Sequence, residues 1–234
     1  MSQSIIQRNL AAVEDRLAAA CRRTGRSRSD VTLVAVTKSV SADTAVLLPP
    51  LGVLDLGENR PQELIRKAKL ISGQVRWHFI GHLQRNKIDL VVPIVSLIHS
   101  VDSVRLLQAI DAEAGKRGKI ISVLLEVNAS GEASKQGFEP AEFPTLTSVI
   151  RGLRYVQVRG LMTMAPLQDA EACRPTFARL RELRDAWRHE LEPPHAMEHL
   201  SMGMSNDFEV AVEEGATFVR LGTVLFEGIP ESDR

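Results

Sequence analysis

Eight short runs of apolar, largely β-branched residues alternate with longer amphipathic segments between about residues 31 and 226. This alternation favours parallel strands joined by helices, because each parallel crossover needs a connection of helix length. The runs are VTLVAVT from Val31, GVLDLG from Gly52, VRWHFIG from Val75, VSLIHSV from Val95, KIISVLLEVN from Lys119, LRYVQVRGLMT from Leu153, MEHLSMG from Met197 and TFVRLG from Thr217. The pattern predicts an α/β fold, a single (β/α)8 TIM barrel, with a doubly wound open sheet as the alternative.

The segments between the runs predict helices. Residues 2–23 place apolar side chains at helical spacing and indicate an extra helix before the barrel. Ser41 or Asp43 is expected to cap the first helix inside the barrel, and Asp102 a later one. A further helix is expected to present one apolar stripe, formed by Phe177, Leu180, Leu183 and Trp187. The 234 residues are therefore expected to form one domain, residues 1–234, with the barrel at about 31–226.

Composition narrows the classes of function. Lysine plus arginine and aspartate plus glutamate balance at 29 each, which argues against a nucleic-acid binder that relies on a positive field. Cys21 and Cys173 lack the spacing of a zinc or disulfide framework, and no apolar run is long enough to span a membrane. We expect a cytoplasmic protein with a small-molecule ligand, no metal and no membrane partner.

Polar residues and glycines gather where the predicted strands end. In a parallel barrel these ends and the loops after them meet at one face, where active sites are built. The junctions are Thr37 and Lys38, Glu58 and Asn59, residues 78–81, residues 100–102, Asn128, Met162 and Thr163, residues 201–205, and residues 220–223. These polar junctions predict a ligand-binding site at that face, the mouth of the barrel.

Lys38 supports two hypotheses. A strand-end lysine can reach solvent or pair with Glu58 or Asp102. Alternatively, its amine forms a Schiff base with an aldehyde or ketone. The loops after the seventh and eighth runs carry Ser201 and Gly222, and loops at these positions commonly bind phosphate in barrels. A lysine opposite a phosphate site suggests a phosphorylated aldehyde, with pyridoxal 5′-phosphate as the leading candidate.

Seven motifs resemble those of the pyridoxal-phosphate homeostasis protein family, in the same order along the chain. They are AVTK, GENRPQE, WHFIGHLQRNK, NASGEASKQGF, GLMTM, HLSMGMSND and VRLGTVLF. A set in fixed order is far more specific than any one motif. The resemblance implies the alanine-racemase-type barrel, pyridoxal 5′-phosphate as cofactor, and a carrier or regulator of the vitamin B6 pool. The ending LFEGIPESDR departs from the family, in which glycine more often follows the phenylalanine directly.

The resemblance also implies residue roles. Lys38 corresponds to the Schiff-base lysine, and Arg220 to an arginine that faces the pyridine nitrogen, the alternative being a pair with Glu58 or Glu209. Ser201, Gly222 and Thr223 correspond to the phosphate contacts. Motif positions around the pocket are Asn59, His78, Asn128, Met162 and Met204.

A carrier and a racemase-like enzyme remain the two main hypotheses of function. A racemase of this barrel type takes a catalytic tyrosine from a second β domain of its partner chain. The only tyrosine here is Tyr155, inside the sixth run, and only about a dozen residues follow the eighth strand. We therefore expect a non-catalytic monomer that stores, protects or delivers the cofactor to apo-enzymes. Lys135, in the loop NASGEASKQGF, lies either on a solvated surface or at the pocket rim, where it would assist release.

Three other classes fit less well. GHLQRNK lacks the ending of a nucleotide-binding P-loop. His78 and His82 lack the helical HExxH setting of a zinc site. A class I aldolase would also use a strand-end lysine, although usually on a later strand, and it would have no chromophore of its own.

Overall fold

Eight parallel strands close into a barrel in which each strand pairs with the next along the chain and β8 pairs with β1. The structure is a computed structural model that describes residues 2–71, 73–132 and 136–231. The strands are β1 (Thr32–Val36), β2 (Asp55–Glu58), β3 (Arg76–Phe79), β4 (Leu97–Val101), β5 (Ile121–Glu126), β6 (Val156–Met162), β7 (His199–Ser201) and β8 (Phe218–Leu221). Seven of them lie within the predicted runs, and β2 extends one residue beyond its run, to Glu58. The barrel is confirmed, and the open sheet is wrong.

Helices connect the strands on the outside of the barrel. They are α1 (Ser2–Arg23), α2 (Ala42–Ala45), α3 (Pro61–Leu70), α4 (Ile88–Val91), α5 (Val104–Lys116), α6 (Phe143–Arg151), α7 (Arg174–Trp187), α8 (Phe208–Glu213) and α9 (Thr223–Phe226). The predicted stripe of α7 is confirmed, since Phe177 and Leu180 are buried and Leu183 and Trp187 pack against the core. Across the described residues, no helix is both long and apolar enough to cross a bilayer.

The extra helix α1 packs on the barrel beside its last two helices. Ile6, Val13 and Leu17 form a fully buried stripe on α1, as the helical spacing predicts. Arg16 stacks over the ring of Phe208 at 4.5 Å, and its guanidinium also pairs with a carboxylate of α8. The predicted helix before the barrel is confirmed, and it lies against α8 and α9.

Helix caps follow the sequence at one site and differ at another. Ser41 accepts a hydrogen bond from the backbone N–H of Thr44 and caps α2. At α5 the cap is Ser103, whose hydroxyl oxygen accepts from the backbone N–H of Leu106, while the Asp102 carboxylate accepts a hydrogen bond from Ser103 and does not cap the helix. The prediction of Asp102 as cap was therefore wrong by one residue. Asp102 is the residue directly before the cap, and its carboxylate pairs with His82.

Candidate functional site

A cavity of about 520 Å³ opens at the C-terminal ends of the strands. Its walls come from most of the predicted junctions. Residues that line it include Lys38, Asn59, Glu126, Met204, Ser205, Asn206, Asp207, Arg220, Gly222 and Thr223. The mouth expected from the sequence is therefore a real cavity. Lys135 lies outside the described residues.

Lys38 lies in the turn directly after β1, and its side chain is exposed at the cavity wall. The residue before it, Thr37, is fully buried and held at two atoms. Its hydroxyl donates to Glu58 at 2.6 Å, and its carbonyl oxygen accepts from the Lys67 ammonium at 2.6 Å. These bonds fix the backbone from which Lys38 projects.

Neither acid proposed as a partner of Lys38 pairs with it. Glu58 forms a fully buried ion pair with Lys67, with Nζ to Oε1 at 2.5 Å. Asp102 pairs with His82 at 3.2 Å. Within the ranges that the structure describes, the amine of Lys38 has no acidic partner, which leaves it available to a ligand in the cavity.

Arg220 forms part of the cavity wall from the end of β8. Its guanidinium donates to the Ser201 hydroxyl at 2.6 Å and to the Thr163 carbonyl oxygen at 3.0 Å. Burial lowers the pKa of Arg220 to about 10, against the opposing effects of Glu126 and Asp207, so the group stays charged at neutral pH. The suggested pairs with Glu58 and Glu209 are absent, since these acids bind Lys67 and Arg16.

The loops after β7 and β8 meet at the wall of the cavity. Gly222 and Thr223 line the cavity at the beginning of α9, and the Ser205 hydroxyl oxygen accepts from the backbone N–H of Val224 at 3.3 Å. A Cβ on Gly222 would lie only 3.1 Å from the carbonyl oxygen of Val36, so glycine permits this close approach of β8 and β1. The predicted anion-binding loops thus face the same cavity as Lys38.

Ser201 differs from the expectation. It is fully buried behind Arg220, and its hydroxyl bonds to Arg220 and to His99 instead of lining the cavity. The hydroxyl that does line it in this loop is Ser205, four residues later. Both serines occur in SMGMSND, and the sequence alone does not say which one turns towards the cavity.

Three further residues expected around the pocket lie elsewhere. His78 points towards the opposite end of the barrel, where it bonds to Asp55. Asn128 closes its own loop by donating to the backbone of Glu132 at 3.0 Å. Met162 packs inside the barrel against other apolar side chains. Strand-end position placed all three near the mouth, but the side-chain direction sends each away from the cavity.

Sequence reasoning missed Glu126. This carboxyl group ends β5, is buried and lines the cavity. Burial, and then the nearby charge of Asp102, raises the pKa of Glu126 above its ordinary value of 4.5. The sequence does contain a sign of this site, because the run KIISVLLEVN ends an apolar strand on a carboxylate two residues before Asn128.

The arrangement suits a phosphorylated carbonyl compound. A primary amine lies at one wall, the glycine-bearing loops after β7 and β8 form a second wall, and a charged guanidinium forms a third. The guanidinium has donors and no acceptor, so it would bind an unprotonated nitrogen or an oxygen of the ligand.

Comparisons with known proteins agree with this geometry. Residues 9–230 match the family model described as alanine racemase, N-terminal domain. A pyridoxal phosphate homeostasis protein of Aquifex aeolicus is 43% identical over 219 residues, which cover 93% of this chain and 95% of that protein.

Two solved structures share both fold and sequence. A protein of unknown function from Bifidobacterium adolescentis superposes with a TM-score of 0.90 at 38% identity, covering 96% of each chain. PipY of Synechococcus elongatus, solved with PLP bound, gives a TM-score of 0.79 at 34% identity and covers 94% of this chain and 99% of that one. The chain thus belongs to the alanine racemase N-terminal domain family and, within it, to the pyridoxal phosphate homeostasis proteins.

Proposed function

We propose that this chain binds pyridoxal 5′-phosphate through Lys38 and acts in vitamin B6 homeostasis, where it stores, protects or delivers the cofactor. The observation that carries the proposal is that Lys38, Arg220 and the Gly222–Thr223 loop line one cavity. Relatives named for pyridoxal phosphate homeostasis and the PLP-bound PipY structure support it.

Each end of the cavity would hold a different part of the cofactor. Lys38 supplies the amine that forms a Schiff base with the aldehyde. Ser205, Gly222 and Thr223 bind the phosphate through a hydroxyl and backbone N–H groups. We propose Ser205 in place of Ser201 because only Ser205 reaches the cavity.

Arg220 would face the pyridine nitrogen. The bound cofactor supplies an electron-withdrawing ring that stabilises negative charge next to its imine. A guanidinium can only donate to the ring nitrogen, so it favours the unprotonated ring, which is the weaker electron sink. This property favours a carrier, or a racemase-like protein, over a transaminase. Asn59 and Met204 are proposed to line the remaining walls beside the ring.

Non-catalytic binding is favoured over racemase-like activity by the location of the one tyrosine. Tyr155 precedes β6 on the outer surface, and its ring lies so close to Gly115 on α5 that a Cβ added there would be 2.9 Å from it. It is therefore remote from the cavity that Lys38 lines. We further propose a cytoplasmic monomer that passes the cofactor to apo-enzymes.

Absorption spectra would test the proposal. Purified wild type, Lys38→Ala and Lys69→Ala are incubated with pyridoxal 5′-phosphate and their visible spectra recorded before and after borohydride reduction. Lys69 is a matched control, since it is an exposed lysine on α3. We expect wild type and Lys69→Ala to show a yellow band that bleaches on reduction, with the adduct located on Lys38 by mass spectrometry, and Lys38→Ala to show none. A colourless wild type, or an adduct on another lysine, would overturn the role of Lys38.

Activity assays separate carrier from enzyme. Wild type loaded with cofactor is mixed with single L-amino acids and, separately, with an apo-enzyme that requires the cofactor. Transfer to the apo-enzyme without racemisation supports the carrier. Steady racemisation at ordinary enzyme rates that is lost in Lys38→Ala would favour the racemase-like alternative.

A further inference from the structure

A hydrogen-bonded chain of side chains runs through the barrel behind Arg220. The Arg220 guanidinium bonds to Ser201 at 2.6 Å, and Ser201 bonds to Nδ1 of His99 at 2.7 Å. Nε2 of His99 lies 2.9 Å from Nδ1 of His78, and Nε2 of His78 lies 3.0 Å from Oδ1 of Asp55. The five residues come from five different strands.

This hydrogen-bonded chain of side chains connects two cavities. Arg220 lines the cavity at the C-terminal ends of the strands, while His78 and Asp55 line a second cavity of about 530 Å³ at the N-terminal ends. His99 and Ser201, between them, are fully buried. The ring of Phe218 packs edge-on against His78 and His99, with centroids 5.7 and 5.5 Å apart. Buried polar groups surrounded by apolar side chains need every partner they have.

The two ends of the chain fix its direction. Arg220 can only donate, so the Ser201 oxygen accepts its hydrogen bond. At the other end, burial opposes ionisation of Asp55, yet hydrogen bonds from His78 and Arg76 hold its pKa below the ordinary value of 3.8. Ionised Asp55 only accepts, so Nε2 of His78 carries the donated proton.

The middle of the chain then has one solution for neutral rings. His78 with its proton on Nε2 presents a lone pair at Nδ1, which accepts from the Nε2–H of His99. Nδ1 of His99 consequently accepts from the Ser201 hydroxyl, whose single proton is thereby used. Burial, with the charge of Arg220 acting in the same direction, holds the pKa of His99 well below 6.5, in agreement with a neutral ring.

Hydrogen bonds running in the opposite direction would satisfy fewer of these groups. If His99 carried its proton on Nδ1, His78 would need protons on both nitrogens to satisfy Asp55 and His99. Ser201 would then accept two hydrogen bonds, and its own proton would lack an acceptor among the described residues. Metal binding does not explain the cluster either, since the described residues contain no group of three or more side chains arranged to hold an ion.

We propose that Ser201, His99, His78 and Asp55 are positioning residues that hold Arg220 in place and keep a lone pair of Ser201 directed at it, so that a change at the N-terminal cavity alters cofactor binding at the opposite mouth. The part concerning the cofactor rests on the function proposed above. The direction of the hydrogen bonds does not rest on it, because it belongs to the protein alone.

Nitrogen-15 NMR of the histidine rings tests the direction in protein without cofactor. Spectra of wild type, His78→Phe and His99→Phe assign the signals of the two rings by difference. We expect both His99 and His78 to be neutral and protonated on Nε2. A His99 ring protonated on Nδ1, or a doubly protonated ring at either position, would overturn the proposed direction.

Cofactor titration tests the coupling between the cavities. His78→Phe breaks the chain, whereas His199→Phe makes the same replacement in the same cavity outside the chain, since His199 contacts Thr217 and the Phe218 ring. His78→Gln is the conservative variant, because an amide can accept from His99 and donate to Asp55. We expect His78→Phe to weaken cofactor affinity by about two- to thirtyfold, the range typical of coupling through a side-chain network. The visible absorption band of the bound cofactor should shift as well, because Arg220 is proposed to face its ring nitrogen. His78→Gln should recover affinity, and His199→Phe should match wild type.

The outcomes separate this inference from the proposed function. Wild-type affinity and spectrum in His78→Phe would overturn the coupling, and so would equal losses in His78→Phe and His199→Phe, which would indicate general damage to the barrel. If wild type bound no cofactor, the proposed function would fail while the NMR result on the chain would still stand or fall by itself. If His78→Phe does not fold, His78→Gln and the wild-type NMR spectrum decide.

Discussion

Replacing Lys67 with methionine should destabilise the protein strongly. Lys67 lies on α3, and its side chain is 1% exposed. It donates to Glu58 at 2.5 Å and to the carbonyl oxygen of Thr37 at 2.6 Å. Methionine keeps most of the buried apolar part of the side chain but removes both hydrogen bonds. The Glu58 carboxylate then stays buried, with the Thr37 hydroxyl and the backbone N–H of Asn59 as its donors.

The size of the effect follows from the burial of the pair. Breaking a buried ion pair at one partner costs about 3–5 kcal/mol, because the other charge remains in a poorly solvating interior. At roughly 2–4 °C per kcal/mol for a chain of this length, the melting temperature should fall by about 6–20 °C. Lys69→Met, on the exposed face of the same helix, should stay within about 0.5 kcal/mol of wild type.

Urea and thermal unfolding measure these changes. The double variant Lys67→Met with Glu58→Gln removes the charge that the single variant leaves unpaired, so it should be more stable than Lys67→Met alone. A loss below about 1 kcal/mol in Lys67→Met would refute the reasoning. Equal stability of the single and double variants would also refute it, since the cost would then come from packing. Because Lys67 holds Thr37, a folded Lys67→Met should additionally bind the cofactor more weakly.

Three smaller perturbations test other parts of the structure. Burial raises the pKa of Glu126, so ionisation of this carboxyl group opposes folding. The stability of Glu126→Gln should match that of wild type below about pH 4 and exceed it as the pH rises above 4.5, the pKa of the group in the unfolded chain. Urea unfolding midpoints at about pH 4 and pH 8 measure the difference. Gly203 has φ of +92°, and an added Cβ would lie 2.6 Å from that of Ala211, so Gly203→Ala should lower the free energy of unfolding by about 1–3 kcal/mol. Gly118→Ala, with φ of +59° and open space, isolates the backbone cost, and equal losses in the two variants would contradict the clash. Ser103→Ala should cost about 1 kcal/mol in urea unfolding as a lost cap of α5; an unchanged midpoint would rule out that role.

The barrel could be predicted because the same sequence pattern, an apolar run followed by a segment of helix length, occurs eight times. Most strand residues are buried, and eight largely apolar runs separated by helix-length segments leave few alternatives. Lys38 and Arg220 were both placed at the mouth because they lie near strand ends, where parallel strands converge, and both line the cavity there. The role proposed for Arg220 came from the family resemblance. Position along a strand is visible in a sequence, and that was enough to place these two residues.

Side-chain direction and pairing could not be read in the same way. His78 and Ser201 also lie near strand ends, but they turn into the barrel, and only the three-dimensional arrangement brings His99 between them. Lys67 looked like an ordinary charge on a polar helix. Its burial depends on Glu58, nine residues earlier on another element, and a single sequence does not reveal that pairing.

Lys38 and Arg220, the two residues proposed to contact the aldehyde and the ring nitrogen of the cofactor, are each supported by a buried polar network. The backbone before Lys38 is held by the buried Glu58–Lys67 pair, and Arg220 is held by Ser201 and the histidines behind it. Both networks carry a cost, because buried polar groups stabilise a fold only when every partner is in place. A barrel selected for stability alone would fill these positions with apolar side chains. Their presence directly behind Lys38 and Arg220 is what an interior that preorganises a binding site requires.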